Sequence, residues 1–425
     1  MIPLGADEQC FYVAAYRGKF YVWTRVVQGS VNGPNLFGRL SALVGRFSQA
    51  CFATSDEARI QIYADDPCAV IRGPERRRRR IMATLLMLWL LLGFTLAVHK
   101  GQRGKKIVWI GYQLHITAES IIATLKPSFM SDFAALTKEI LSHNVLSLKT
   151  LRRYAGQANH ISGLLFAWRP FLESLWAALA AHQPAAIKDI DDKAKKKLGK
   201  KAKRKSRAPR HMLWRRQIQT TLDWISAFLD GSAGSVTRTW YYTSYNESVT
   251  AVMMLLDASP HGVGGILIIN GVIVSYFSDK LTQQDAIIHR TKLADSHGQQ
   301  IWEALCVLIA MRVWASIWQT RRYTITIGSD NMAALVLAGK LKAKGPRAVI
   351  AREIALHYAE GSFEPRVTEH VPGVANDIAD ALSRLTDPSE TKELPDILND
   401  VEFVQPAPRP RSWYRTLGSR RRHTG

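Results

Sequence analysis

The chain has 425 residues, enough for two or three domains with cores of their own, and its 47% hydrophobic content supports globular folding. Its four cysteines lie far apart and form no CxxC or Cys/His pattern, so the sequence indicates neither a zinc site nor a disulfide framework. The residues after Met1 lack the apolar core of a signal peptide. We therefore expect an intracellular protein, in the nucleus or the cytoplasm.

The net charge of +22 comes from three basic runs rather than from the whole chain. Residues 76–80, 193–210 and 409–422 contain no acid and together carry 22 Lys and Arg residues, which leaves 35 basic and 35 acidic residues elsewhere. We expect a near-neutral folded body with basic appendages. Such runs strengthen salt-dependent contacts with nucleic-acid phosphates without selecting a sequence.

Residues 1–115 mix strand-like and helical segments, which predicts a sheet with helices. Strands are predicted over FYVAAY, KFYVWTRVV and IVWIGYQLHI, and a helix over NLFGRLSALVGRFSQACFA. Between them, IQIYADDPCAVIR predicts a hairpin with Asp65 and Asp66 at or near its turn. Two acids there fit an ordinary Asp-rich turn, and they also fit a divalent metal site, because Mg²⁺ prefers carboxylate oxygens.

Residues 81–98 form an apolar stretch of 18 residues without a charge. This length is the short limit for a transmembrane helix, which is one interpretation. Gly93 interrupts the stretch and FTLAV after it is strand-like, so a buried helix that ends near Gly93 and is followed by a strand fits as well. We favour the buried helix and expect no membrane association.

The next segments differ in composition from the first. Apolar spacing of three and four predicts a helical region from residue 125 to about 183. Residues 188–210 are dense in Lys and Arg and predict a solvated linker, with a nuclear-localisation signal as the alternative. After Asp387, proline, arginine and polar residues predict a disordered tail.

Residues 250–385 predict a second folded unit of the mixed α/β kind. The strand VMMLL leads into Asp257, and GGILIINGVIVSYFS predicts a hairpin whose turn at Asn270 and Gly271 requires positive φ. The remaining predicted elements are a long helix over GQQIWEALCVLIAMRVWASIW, a strand over YTITI, helices over 332–338 and 348–358, a strand over RVTEHV and a helix over NDIADALSRL.

Acidic residues recur at the ends of these elements. Asp257 closes the first strand and Asp330 the fourth, whereas Glu303 lies on the long helix and Asp380 on the last one. Asp257 and Asp330 would emerge at the same end of the sheet if their strands are adjacent and parallel. Singly, each acid is more simply a cap, a turn residue or a surface charge. Four acids around one cavity repel one another unless a cation is bound, so convergence would imply a metal.

Four segments resemble the catalytic segments of ribonuclease H domains in retroelement polyproteins: DASPHGVGGIL, IWEALCVLIAMRVW, GSDNMAAL and HVPGVANDIADALSR. The resemblance implies a two-metal site for Mg²⁺ or Mn²⁺, with ions roughly 4 Å apart that activate a water and stabilise the leaving oxygen. Its ligands would be Asp257, Glu303, Asp330 and Asp380. His370 would assist proton transfer or product release. Asp377 lies in the last segment too, but the family spacing favours Asp380.

The N-terminal region resembles the palm of a reverse transcriptase in the segments QGSVNGPNLFGRL, YADD, LLLGFTLAVHKGQ and IVWIGYQL. The resemblance implies that Asp65, with Asp66 beside it, belongs to a catalytic metal site. It places the following residues near the substrates: Gln28 and Gly29 by the template and incoming nucleotide, Tyr63 in the hairpin, and Lys100 by the departing pyrophosphate.

The two resemblances together cover about residues 2–385 and imply an α/β protein with a retroelement reverse transcriptase and a ribonuclease H. The expected parts are an N-terminally truncated palm (1–115), a helical thumb or connection (116–185), a basic linker (186–245), a ribonuclease H-like domain (246–385) and a disordered basic tail (386–425). The implied partners are RNA, DNA, RNA–DNA hybrid and deoxynucleotides. The closest type is a long-terminal-repeat or tyrosine-recombinase retroelement.

Two other interpretations stay open. One is a non-catalytic scaffold from a decayed or domesticated element, which binds nucleic acid through its basic segments. The other is a membrane-anchored protein that uses residues 81–98. Metal titration with a hybrid substrate separates the first from an enzyme, and solubility without detergent argues against the second.

Reverse transcriptases carry a further metal-binding Asp on a strand just before the segment that here begins IPLGADEQCFYV. We expect this Asp and most of the fingers to be missing, because Asp7 falls in the loop after the expected strand. Without that carboxylate, placement of the primer 3′-oxygen and the nucleotide loses several kcal/mol of transition-state stabilisation. We predict that purified residues 1–425 extend a primer poorly or not at all. Robust DNA synthesis in a primer-extension assay would contradict this.

Overall fold

The chain folds as two units, Met1–Leu114 and His115–Gly425. The computed structural model describes residues 2–27, 29–52, 57–181, 211–242, 251–320, 323–343, 345–360, 363–389 and 393–417. Gln28 and the basic residues 193–210 lie outside the described residues.

Hairpins and helices make up the first unit, as its alternating and helical patterns predict. Its elements are β1 (Val13–Tyr16), β2 (Lys19–Val22), α1 (Gly33–Ala50), β3 (Ala58–Tyr63), β4 (Asp66–Ile71), α2 (Glu75–Leu91) and β5 (Lys106–Trp109), and β6 (Tyr112–Ile116) spans the boundary between the units. Strand β1 pairs with β2 and β3 with β4, both antiparallel. A turn with positive φ at Ile110 and Gly111 separates β5 from β6.

The core of the first unit lies between α1, β3 and α2. Its buried side chains are Val44, Ala58, Ile60, Ile81, Leu85 and Trp89. The indole Nε1 of Trp89 donates a hydrogen bond of 2.8 Å to Ser48 Oγ, so the polar atom at the centre of this apolar cluster has a partner. The apolar residues of α2 therefore contribute to the core of their own unit.

Helix α2 begins at Glu75 and includes the five arginines before the apolar stretch. None of the helices within the described ranges is long and apolar enough to cross a bilayer. The helix ends at Leu91, close to Gly93, whose φ of 80° suits a helix terminus. The strand predicted over FTLAV is wrong, because the described residues 94–98 form no strand and Val98–Lys100 form a 3₁₀ turn.

The second unit begins with a helical region that also contains short strands. Its elements are β7 (Ser120–Leu125), α3 (Pro127–Ser142), β8 (Val145–Ser147), α4 (Leu148–Leu164), α5 (Glu173–Ala180), β9 (Met212–Trp214), α6 (Gln219–Leu229) and β10 (Thr237–Tyr241). Strand β7 pairs with β10 and β8 with β9, both antiparallel. Stacked rings fill its interior, with centroids 4.9 Å apart for Phe133 and Tyr154 and 5.2 Å apart for Trp168 and Phe228.

A mixed six-stranded sheet forms the rest of the second unit, in the order β15-β14-β11-β12-β13-β16. Its elements are β11 (Val252–Ala258), β12 (Gly262–Ile269), β13 (Val272–Lys280), α7 (Gln283–His289), α8 (Gln299–Val313), α9 (Ala315–Thr320), β14 (Tyr323–Ser329), α10 (Met332–Lys340), α11 (Arg347–Glu360), β15 (Phe363–His370), α12 (Asp377–Arg384) and β16 (Glu402–Phe403). Strands β11 to β13 are antiparallel neighbours, whereas β14 runs parallel to β11 and β15 parallel to β14. The mixed α/β architecture predicted from the sequence is confirmed.

Two details of this sheet follow from local sequence. Asn270 and Gly271 have φ values of 52° and 82°, which is the predicted hairpin turn. The long predicted helix is in fact two helices, because the chain leaves the α8 helix at Trp314, whose indole Nε1 donates to Ser275 Oγ at 3.0 Å. Helix α8 is buried from Trp302 to Met311 and packs on β11 and β12.

Helix α12 lies unusually close to β12. A Cβ atom on Gly264 would lie 2.5 Å from Leu382 Cβ, and one on Gly262 would lie 2.6 Å from the carbonyl oxygen of Ser383. Both distances are shorter than a packed contact allows, so these two positions require glycine for the helix to sit where it does. This close seating brings the end of α12 against the residues that follow β11.

Residues 393–417, the C-terminal segment, are ordered and buried in part, so the prediction of a disordered basic tail is wrong for them. Strand β16 pairs with β13, and the Tyr414 side chain is fully buried. Arg409, only 5% exposed, donates to both carboxylate oxygens of Asp285 at 3.0 Å and pairs with Asp279. Its charge is therefore neutralised inside the fold, which net charge counted along the sequence does not detect.

We predict that Arg409→Met lowers the free energy of unfolding by about 3–5 kcal/mol, because it leaves Asp285 buried without a cation. Urea denaturation measures this loss. The matched control is Arg415→Met, since Arg415 and Glu360 form a largely exposed pair whose removal costs less than about 1 kcal/mol. Equal losses for the two variants would show that the Arg409 pairs do not hold the C-terminal segment in place.

Candidate metal centre

The parallel pairing of β11 and β14 brings two predicted acids to one edge of the sheet. Asp257 is the penultimate residue of β11, and Asp330 directly follows β14. The two strands are neighbours with Val252 opposite Ile325, so their carboxyl ends lie side by side. Asp257 and Asp330 therefore emerge at the same end of the sheet.

Helix α8 adds a third carboxylate. Asp257, Glu303 and Asp330 each offer an oxygen, and these oxygens lie within 4.8 Å of one another. Asp257 and Glu303 are 6% and 3% exposed, whereas Asp330 is exposed. The cluster is thus closed toward the core and open toward solvent at Asp330.

Burial and the charges of neighbouring carboxylates disfavour the ionised forms of the two inner acids, Asp257 and Glu303. The pKa of Asp257 is raised to about 6, chiefly by burial and in smaller part by the nearby charges of Asp330 and Asp380, against a lowering hydrogen bond from Ser383. Burial, and next the charge of Asp257, holds the pKa of Glu303 well above its usual range. A divalent cation would relieve both costs at once.

Neutral donors support the two inner carboxylates. The Gln299 amide donates to Glu303 Oε1 at 3.0 Å and also to the Ala258 carbonyl. The Ser383 hydroxyl lies 2.7 Å from Asp257 Oδ2. Both donors orient a carboxylate without adding positive charge, so the cluster keeps the charge that a cation needs.

The fourth predicted acid is placed differently. Asp380, in the first turn of α12 and half-buried, accepts a 2.7 Å hydrogen bond from Arg384 Nε and is not one of the three converging acids. Its charge still raises the pKa of Asp257, so the two carboxylates are near each other. Asp377 is exposed, and its Oδ1 accepts from the backbone N–H of Ile378.

His370 lies at the rim of the same edge. It is the last residue of β15, is exposed, and is opposite Ser329 in the strand register, one residue before Asp330. The next backbone N–H, that of Val371, donates to the Ser329 carbonyl at 3.1 Å. The imidazole is therefore attached to the strand end beside the exposed acid.

The donor set fits a hard divalent cation. All three converging groups are carboxylates, which are the ligands that Mg²⁺ and Mn²⁺ prefer, and within the described residues no His or Cys joins them. Cys306 is close, but its buried sulfur lies 3.2 and 3.4 Å from the carbonyl oxygens of Asp257 and Gly264, and burial raises the pKa of the thiol well above the usual range. It is a packed neutral side chain and not a metal ligand.

The predicted polymerase residues are less closely gathered. Asp65 lies in the two-residue turn of the β3–β4 hairpin and Asp66 begins β4, both exposed. Over the described ranges, no third metal-ligating side chain meets them. The following predicted residues are exposed: Gly29, Tyr63 and Lys100. Gln28 is outside the described residues. The substrate roles of all four residues stay predictions.

Sequence reasoning missed the residues that support the acids. Gln299 precedes Glu303 by one helical turn, and Ser383 follows Asp380 by three residues, spacings that place each pair on one helix face. Asn376, which is buried, donates from Nδ2 to the Leu256 carbonyl at 3.1 Å and so ties the start of α12 to β11. Only the pairing across elements reveals these roles.

No protein-family model and no curated protein matches the sequence. Similar solved structures include foamy viral protease-reverse transcriptase in complex with dsDNA, with 15% identity and a TM-score of 0.37 over 87% of this chain and 64% of that chain. The foamy viral protease-reverse transcriptase dRH with ds DNA has 16% identity and a TM-score of 0.40, over 87% and 55%. RNase H1 from the halophilic archaeon Halobacterium salinarum has 14% identity and a TM-score of 0.22, over 33% and 98%. The chain spans less than two thirds of the foamy viral chains, and scores this low establish no activity.

We predict that the metal-free protein loses stability as pH rises from about 4 to about 6. The pKa of Asp257 is higher in the folded state than its usual 3.8, so the unfolded chain releases this proton first and folding becomes less favourable through that window. Asp257→Asn removes this contribution, worth about 2–3 kcal/mol, and is more stable than the parent at pH 7.5 in EDTA but not at pH 3.5. Urea denaturation at both pH values measures it.

The exposed Asp377→Asn variant is the control for this experiment and keeps the pH dependence of the parent. At pH 7.5, added Mn²⁺ stabilises the parent more than it stabilises the Asp257→Asn variant. A stability difference between Asp257→Asn and the parent that does not change with pH would show that Asp257 ionises normally.

Proposed function

We propose that the second unit hydrolyses the RNA strand of RNA–DNA hybrids with the help of divalent cations. The observation that supports this most is the convergence of Asp257, Glu303 and Asp330 at the edge where two parallel strands end. Buried carboxylates that face one another ionise readily only with a cation among them. Bound there, Mg²⁺ or Mn²⁺ would supply an activated water and charge stabilisation at the leaving oxygen.

Each acid has a distinct part in this proposal. Asp257 and Glu303 hold the cation from the core side, where their neighbours fix their orientation. Asp330 faces solvent, so the phosphodiester approaches on its side. Asp380 joins the set from α12 when a cation competes with Arg384 for its carboxylate.

His370 is the proton-handling group in this proposal. It is exposed beside the strand end that carries Asp330, where an imidazole can reach a leaving oxygen or a departing product. An imidazole can both accept and donate a proton, which suits either task.

For the first unit we propose a reverse transcriptase palm that is impaired in DNA synthesis. The proposal is supported by the order of its motifs and by the hairpin that presents Asp65 and Asp66 to solvent. RNA, DNA and deoxynucleotides are its proposed ligands, and a retroelement is its proposed origin.

We predict that Asp257→Asn and Asp330→Asn each lower Mg²⁺-dependent cleavage of a labelled hybrid by at least about 100-fold, because each removes a charged ligand. Asp380→Asn lowers it as well. Asp377→Asn, on the same helix but exposed, and Asp65→Asn, in the other unit, are matched controls that keep the parent rate. Parent-like cleavage by Asp257→Asn and Asp330→Asn would refute the site.

A further inference from the structure

The Ser383 hydroxyl is the only side-chain donor that the described residues offer to Asp257 Oδ2 within hydrogen-bonding distance. Its Oγ lies 2.7 Å from that oxygen, and Ser383 is 0% exposed. The same Oγ lies 2.9 Å from the carbonyl oxygen of Asp380, one turn earlier on α12. One hydroxyl proton serves one acceptor, and an ionised carboxylate is the stronger acceptor of the two. The proton therefore points to Asp257 whenever that acid is charged.

Two other hydroxyls fix the end of α12 on which Ser383 lies. Ser278 Oγ donates to the Leu382 carbonyl at 2.7 Å, and Ser259 Oγ donates to the Ser383 carbonyl at 2.8 Å. Carbonyls in the last turn of a helix have no partner within the helix, so these bonds satisfy groups that would otherwise be buried alone. The absence of a side chain at Gly264 lets the helix approach closely enough for all three serines to act.

The donors to the inner acids are neutral, so they do not compete with a cation for the carboxylates. An Arg or Lys in the place of Ser383 would neutralise Asp257 and compete with a cation. A hydroxyl orients the carboxylate and leaves its charge available. Arg384 does pair with Asp380, which is the acid that stands outside the converging three.

We propose that Ser383 is a positioning residue for cation binding, which acts by holding the Asp257 carboxylate in the orientation that the cation requires. The inference rests on the proposed function, because it concerns the same metal centre. Loss of a partner that orients a metal ligand typically weakens metal affinity by about 10- to 100-fold. Loss of a hydroxyl that only seats the helix has no such effect on the cation.

The test compares Ser383→Ala with Ser278→Ala in the full chain. Each variant deletes one serine hydroxyl. That of Ser278 donates to the Leu382 carbonyl of α12, whereas that of Ser383 contacts the carboxylate of Asp257. Free Mn²⁺ is measured by electron paramagnetic resonance during titration, and circular dichroism checks folding. We expect the Mn²⁺ dissociation constant to rise by about 10- to 100-fold in Ser383→Ala and by less than about 3-fold in Ser278→Ala. Unchanged affinity in Ser383→Ala, or an equal loss in both variants, would overturn the proposal.

A second variant covers the case in which Ser383→Ala does not fold. Ser383→Cys keeps nearly the same shape, but a thiol is a weaker donor, so we expect affinity lower than that of the parent. Parent-like affinity in Ser383→Cys would overturn the role of Ser383.

Hybrid cleavage separates this inference from the proposed function. If the parent binds Mn²⁺ and cuts the hybrid while Ser383→Ala binds as tightly as the parent, only the role of Ser383 fails. If the parent binds no Mn²⁺, the proposed function fails and this inference fails with it. Whichever of Ser383→Ala and Ser383→Cys folds should recover most of the cleavage rate of the parent at saturating Mn²⁺, since the defect lies in the affinity for the cation.

Discussion

The burial of Asp257 beside Glu303 is the constraint on which the chemistry of the second unit depends. Burial raises the pKa of both carboxylates, the charge of Asp257 raises that of Glu303 further, and the fold must hold the two together against these costs. It does so with rigid elements: a central strand for Asp257 and a helix buried over most of its length for Glu303. Burying these acids costs the folded state stability. A ligand that brings positive charge and binds only the folded state can restore that stability.

The close approach of α12 to β12 gives the acids different hydrogen-bond partners. Gly262 and Gly264 give the helix room, and Ser383 then reaches the inner acid while Asp380 stays with Arg384. The two acids that face the core have neutral donors, Gln299 on α8 and Ser383 on α12, whereas Asp380 accepts from the cation Arg384. The partners of Asp257 and Asp380 thus follow from the position of α12.

The sequence predicted much of this arrangement and missed a definable part of it. Period-two and helical patterns located the β11–β13 meander and the helices that carry Glu303 and Asp380, and the NG turn of the hairpin was correct because local φ preferences decide it. The strands β7 to β10 were missed since they are short, and the pairings of β7 with β10 and of β8 with β9 join residues far apart in the chain. Ser383 was missed because its role is a contact across 126 residues of chain, which no local pattern encodes.

Charge shows the same limit of sequence reasoning most clearly. The run that contains Arg409 was predicted to be a basic appendage, yet the Arg409 guanidinium lies beside Asp279 and Asp285, which precede it by 130 and 124 residues. Conversely, Asp65 and Asp66 are adjacent in the chain and remain exposed, whereas Asp257 and Asp330 are far apart and meet. Whether a charge is paired, solvated or poised for a cation is set by the strand order and helix seating around it. In this protein the parallel β11–β14 pair sets it for the acids, and the C-terminal segment sets it for the buried arginine.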